Sequence, residues 1–161
     1  MTQVVLLLGG NLGDVRATFE GVRADLEREV GEVMRYSPIM RSEAWGFEAE
    51  PFLNQAVIIS TKLEAEALLD AVQKIENRWG RNRQSETEMK ILSGEKYTSR
   101  SIDIDIIFYG DSIIESPRLT VPHLLMAKRE FVLEPIAEIA PHLVNAKNGK
   151  SVEQMLNELK G

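Results

Sequence analysis

The chain has 161 residues, 43% of them apolar and 27% charged, which suits one domain spanning 1–161 with a real core and a solvated surface. The 25 acidic residues outnumber the 19 basic ones, and a net charge of −6 argues against a general nucleic-acid or membrane binder. No cysteine is present, which excludes disulfides, thiolate catalysis and Cys-based zinc sites. The apolar run near the N-terminus is too short for a signal sequence or a membrane span, so a cytoplasmic protein is expected.

In chain order, Val4, Val5, Leu6, Leu7 and Leu8 read as a buried strand bounded by Gly9 and Gly10. Gly9-Gly10-Asn11-Leu12-Gly13 lacks both the Lys-Ser/Thr ending of a P-loop and the spacing of a dinucleotide fingerprint, and reads best as a tight strand-to-helix turn. A helix opens at Asp14, with Val15, Phe19, Val22, Leu26 and Val30 along one face. Strands are expected over 34–40 and 54–62. A second amphipathic helix is expected over 64–79, with Leu68, Val72, Ile75 and Trp79 in one stripe and Gly80 after it.

Residues 81–99 show neither helical nor strand period, and a loop this long in a compact domain is usually functional or disordered. Between 74 and 100 there are seven basic and four acidic residues, a local cationic patch suited to a small polyanion. A strand is clearest over 101–109. An extended piece reaches Pro122, followed by short helical pieces broken by Pro135 and Pro141. A closing helix runs over 151–160 with Ser151 as N-cap. The order β-α-β-β-α-β with a helical tail predicts an α+β, ferredoxin-like (split βαβ) fold.

The segment Arg100-Ser101-Ile102-Asp103-Ile104-Asp105-Ile106-Ile107-Phe108 carries the sharpest chemical signal. Strand alternation sends Ile102, Ile104, Ile106 and Phe108 to one face and Asp103 and Asp105 to the other. Carboxylates about 6.5–7 Å apart can hold two Mg²⁺ ions. A solvated polar strand face is the other reading, although Asp is depleted in strands and the two charges repel. Arg81, Arg83, Lys96 and Arg100 nearby would suit the phosphates of a Mg-nucleotide. His123, beside Pro122 and six residues before Arg129, could donate to a phosphate or be an ordinary loop histidine.

Seven segments stand out together: Gly9-Gly10-Asn11-Leu12-Gly13, Phe52-Leu53-Asn54, Gln73-Lys74-Ile75-Glu76, Gly80-Arg81-Asn82-Arg83, the R-x-x-D-x-D strand from Arg100, Leu119-Thr120-Val121-Pro122-His123 and the run from Arg129 to Pro135. In this order they resemble the 6-hydroxymethyl-7,8-dihydropterin pyrophosphokinase family. The resemblance covers nearly the whole chain. It implies ATP as co-substrate, two Mg²⁺ ions, and attack by a pterin hydroxyl on the β-phosphorus with release of AMP. By resemblance, Asp103 and Asp105 hold the metals, with Arg83 and Arg100 catalytic beside them. Ser42, Phe52, Asn54, Asp103 and Phe131 correspond to pterin-side positions. Gln73, Glu76, Arg83, Arg100 and Ile106 correspond to nucleotide-side positions, as do Arg118, Thr120, His123 and Arg129. Gly10 stands where the family often has Ser, and Tyr97 where Trp is frequent.

Two rivals are a Mg-dependent nucleotidyltransferase, which would release pyrophosphate, and a non-enzymatic RNA-binding ferredoxin-like module. The latter needs a basic face and exposed aromatics, which this charge distribution disfavours. The expected partners are ATP and hydroxymethyl-dihydropterin, without nucleic acid or membrane, acting on a monomer. Residues 81–100 are expected to form a lid over bound nucleotide, their cations relieved by its phosphates. Amide exchange with ATP analogue, Mg²⁺ and pterin present should show gained protection in this stretch; no gain, with full activity after deletion of 85–94, would leave an idle surface loop.

Overall fold

The computed structural model describes residues 1–42, 51–80 and 102–161. The elements are β1 (Thr2–Gly10), α1 (Val15–Glu29), β2 (Gly31–Tyr36), β3 (Met40–Ser42), β4 (Phe52–Thr61), α2 (Ala65–Arg78) and β5 (Asp103–Tyr109). They continue as β6 (Ile114–Glu115), β7 (Thr120–Val121), a 3-10 turn (Met126–Lys128), α3 (Glu130–Ile139), β8 (Val144–Asn145), β9 (Lys150–Ser151) and α4 (Val152–Lys160). The main sheet has the order β2-β4-β1-β5, with β3 pairing the start of β4. Its pairings are all antiparallel. This is the expected split-βαβ, α+β arrangement.

β1 lies between β4 and β5, so both edges of its backbone are hydrogen-bonded. That pairing extends to Gly10 against Leu53 and to Gly9 against Asp103. The two glycines expected in a turn therefore belong to the strand, and the turn follows them. Asp14 then caps α1, its Oδ1 accepting the Ala17 N–H at 3.1 Å. The single strand expected over 34–40 is two strands. Where Pro38 cannot donate, Ser37 keeps the ladder, its Oγ accepting the Ala56 N–H at 3.0 Å.

Each face of the sheet has its own core. Val4, Leu6, Leu8, Val57 and Ile59 pack with Phe19, Val22 and Leu26 of α1 and Leu68, Val72 and Ile75 of α2. On the opposite face Val5, Leu7, Ala56 and Ile58 meet Val132, Leu133 and Ile136 of α3 and Val152 and Met155 of α4. β5 joins both. Its register against β1 slips between Val5 and Leu6, so Leu6 faces Ile106 while Val5 faces Phe108. Ile102, Ile104 and Ile106 enter the first core, but Ile107 and Phe108 enter the second. The bulge thus removes Phe108 from the face that strict alternation assigned to it.

Pro135 does not break α3, which runs unbroken from Glu130 to Ile139. One backbone donor is lost there, and the burial of Val132, Leu133, Pro135 and Ile136 along one side offsets the loss. In α4 the Ser151 cap is completed by Gln154 in a reciprocal capping box.

α1 and α2 are fastened by a carboxylate in an apolar stripe. Asp25 is 4% exposed. It accepts from the Trp79 indole at 2.8 Å and from Arg78 at 3.0 Å, and also pairs with Arg28. Arg78 further grips Glu29. The Trp79 ring lies over Gly21, where an added Cβ would come within 2.1 Å of it. Burial pushes the Asp25 carboxyl up, but the Trp79 and Arg78 hydrogen bonds and the charges of Arg28 and Arg78 outweigh it, and the net shift is downward. A depressed carboxylate contributes stability above its unfolded pKa, and that contribution is lost as pH falls through the folded value. Asp25→Ala should therefore cost roughly 1.5–3 kcal/mol near neutral pH, the order of a charged hydrogen-bond set. In denaturant melts, the gap to wild type should close in acid below the ordinary aspartate range.

Candidate active site

The second face of the sheet changes character along its length. Toward β8 and β9 it is apolar; at the other end it is polar and aromatic. Ser42 pairs with Phe52, and Met40 with Asn54, across β3 and β4. Asn54 pairs with Gly9, Gly9 with Asp103, and Leu7 with Asp105. Register thus lines up Ser42, Phe52, Asn54, Gly9, Asp103 and Asp105 on one face across four strands. Phe131, on the first turn of α3, packs against the core of the same face. The Arg129 guanidinium lies 5.7 Å from its ring centroid.

Asn54 is 5% exposed, and its Oδ1 accepts the Ser42 hydroxyl at 3.3 Å. An aromatic ring, a hydroxyl and a buried amide facing one space can receive a flat polar heterocycle. Asp103 and Asp105 are half-buried beside it. Among the described residues no group of three or more His, Cys, Asp or Glu gathers. Two hard oxygen donors suit Mg²⁺, which keeps sites for water and phosphate oxygens.

Among the described residues β5 is the outer strand of the sheet, and side chains and loop meet its outward backbone. The buried Glu76 carboxylate accepts the Ile104 N–H at 2.7 Å, between the two aspartates in sequence. The His123 N–H donates to the Ile107 carbonyl at 2.9 Å. His123 Nδ1 accepts the Leu125 N–H at 3.3 Å, which leaves Nε2 as the donor of the neutral ring. Burial and the neighbouring Arg129 push its pKa down, against a smaller upward pull from Asp103. These influences place His123, Arg129 and Asp103 in one electrostatic neighbourhood.

The remaining nucleotide-side expectations scatter along the same edge. Gln73 is half-buried on α2, one turn before Glu76. Thr120 lies in β7, paired with Glu115. Ile106 is 4% exposed with its side chain in the first core, so only its main chain can meet a ligand. Arg118 lies apart, held by Glu66 at 2.9 Å and Asp70 at 2.6 Å on α2. Arg81, Arg83, Lys96, Tyr97 and Arg100, with the expected lid, lie outside the described residues. Sequence reasoning assigned Gly9 to a turn, and the signal against that was an apolar run leading straight into it. It also missed the hold of Glu76 on β5.

A family model described as 7,8-dihydro-6-hydroxymethylpterin-pyrophosphokinase matches residues 5–141. A 2-amino-4-hydroxy-6-hydroxymethyldihydropteridine pyrophosphokinase of Synechocystis sp. is 38% identical over 156 residues, covering 96% of this chain and 75% of the relative. A protein of the same name from Porphyromonas gingivalis is 36% identical over 145 residues, covering 89% of this chain and 94% of its own. Among solved structures, the Plasmodium falciparum HPPK-DHPS with pteroate superposes with a TM-score of 0.74 at 13% identity, a likeness of fold. This chain spans 44% of that longer chain. The chain belongs to the 7,8-dihydro-6-hydroxymethylpterin-pyrophosphokinase family, the ATP-dependent pyrophosphoryl transferases of folate biosynthesis.

Proposed function

We infer that this chain transfers pyrophosphate from ATP to the hydroxymethyl group of 6-hydroxymethyl-7,8-dihydropterin, with the pterin on the Asn54 side of the sheet face and the nucleotide along the β5 edge. The observation that carries this reading is the register that sets Ser42, Phe52 and Asn54 on the same face as Asp103 and Asp105. The pterin hydroxyl oxygen bonds to the β-phosphorus, the bond from the β-phosphorus to the α,β-bridging oxygen breaks, and AMP leaves with that electron pair. The hydroxyl proton is released in the same step. Such transfer depends on positioning and charge neutralisation more than on a strong base.

Asp103 and Asp105 would hold two Mg²⁺ ions, which supply charge neutralisation to the triphosphate. Phe131 and Phe52 would flank the ring, and Asn54 with Ser42 would read its polar edge. His123 Nε2 and Arg129 would donate to phosphate oxygens, and Arg83 and Arg100 are assigned the same task. The catalytic unit of this reading is a monomer working in the cytoplasm. Among the described residues no helix is long and apolar enough to cross a membrane.

With ATP, Mg²⁺ and hydroxymethyl-dihydropterin, chromatography should show AMP; pyrophosphate instead would favour a nucleotidyltransferase. Asp103→Asn and Asp105→Asn should each lower kcat by about 100-fold or more at saturating Mg²⁺ while the melting temperature is kept, the order expected of a transition-state charge stabiliser. Near wild-type turnover in both would remove the metal assignment. Phe131→Ala should weaken pterin binding by roughly 1–3 kcal/mol in calorimetric titration, the order of a lost aromatic contact.

A further inference from the structure

Gly9 occupies a place where nothing in its own backbone calls for glycine. It is absent from the positive-φ glycines, and it lies in the middle strand of the sheet with partners on both sides. A glycine there weakens the strand and often marks close approach of another group. The approaching group is the amide of Asn54: a Cβ at position 9 would stand 2.9 Å from its Nδ2. Asn54 Oδ1 is engaged by Ser42, which turns Nδ2 toward β1. No described residue supplies Nδ2 with an acceptor, although Asn54 is only 5% exposed. Buried donors are nearly always paired, so Nδ2 is a donor that a bound molecule could satisfy.

We propose that Gly9 is a positioning residue for the heterocyclic substrate: its missing side chain lets the Asn54 amide lean over β1 with its donor aimed into the site between Asn54 and Asp103. This rests on the pterin reading above. The acceptor it serves is a ring nitrogen or carbonyl on the polar edge of a flat, amide-like heterocycle. With the ring held there, its hydroxyl-bearing end is directed toward Asp103, on the far side of Gly9. A methyl group at position 9 would displace the amide without touching the nucleotide side.

The test uses the full chain with Gly9→Ala, Asn54→Ala and the double variant. Hydroxymethyl-dihydropterin is titrated calorimetrically in the presence of ATP analogue and Mg²⁺, and steady-state KM values are measured for both substrates. Gly9→Ala should raise the pterin Kd and KM by about tenfold or more, the order of a lost buried hydrogen bond, with the KM for ATP within about twofold of wild type. In the Asn54→Ala background the added methyl should change the pterin Kd by less than about threefold, because the group it acts through is gone. Additive losses, or an unchanged pterin Kd in Gly9→Ala, would overturn the proposal. Should Gly9→Ala fail to fold, Asn54→Asp removes the donor at nearly constant shape, and retained pterin affinity in that variant overturns it equally. A wild-type protein that makes no AMP from ATP and pterin would instead sink the functional reading, a separate result.

Discussion

Everything at the site depends on the double pairing of β1. Held between β4 and β5 by backbone hydrogen bonds on both sides, β1 fixes which residue of each neighbour stands beside which. A shift of one residue in either ladder would turn Asn54 or the two aspartates to the opposite face, into the core under α1 and α2. The hydrophobic pattern forbids that slip: Val57 and Ile59 on β4, like Ile104 and Ile106 on β5, have to stay in the first core. Burial of apolar side chains on one face thereby places polar ones on the other.

The helices divide the remaining work. α1 and α2 close the first face and are tied by Asp25 with Arg78 and Trp79. From α2, Glu76 reaches around the sheet edge to the Ile104 N–H. α3 closes the second face and delivers Phe131 and Arg129 to its polar end. The candidate site therefore draws Phe131 and Arg129 from one helix and its carboxylates from a strand, with the central strand between Asn54 and Asp103 left bare at Gly9.

Much of this was legible in the sequence. The order of elements, the helical stripes of α1 and α2, and the shared face of Asp103 and Asp105 follow from periodicity alone. The segments from Phe52 to Asn54 and from Arg129 to Pro135 carried the family likeness. What periodicity could not give were departures from it. The bulge that sends Ile107 and Phe108 to the second core depends on β1, not on anything local to β5. Pro135 looked like a helix breaker because its lost hydrogen bond is local and the packing that offsets it is not. Arg118 resembles a phosphate-side position by motif, and its pairing with Glu66 and Asp70, about 50 positions upstream, is something no local pattern shows. Asp25 had a readable signal, an acid within an apolar stripe, whose partners lay on another helix.

The bulge in β5 has a mechanical consequence. By feeding apolar residues into both cores, it clamps an outer strand from above and below, where such a strand would ordinarily be free to breathe. Asp103 and Asp105 ride on that clamped strand. Two like charges side by side repel, and on a loose loop they would swing apart whenever the site emptied. Here the work of holding them together is done once, during folding, and drawn from hydrophobic burial. On the function proposed above, the electrostatic field over the site would thus stand before any substrate arrives, leaving little reorganisation for each turnover.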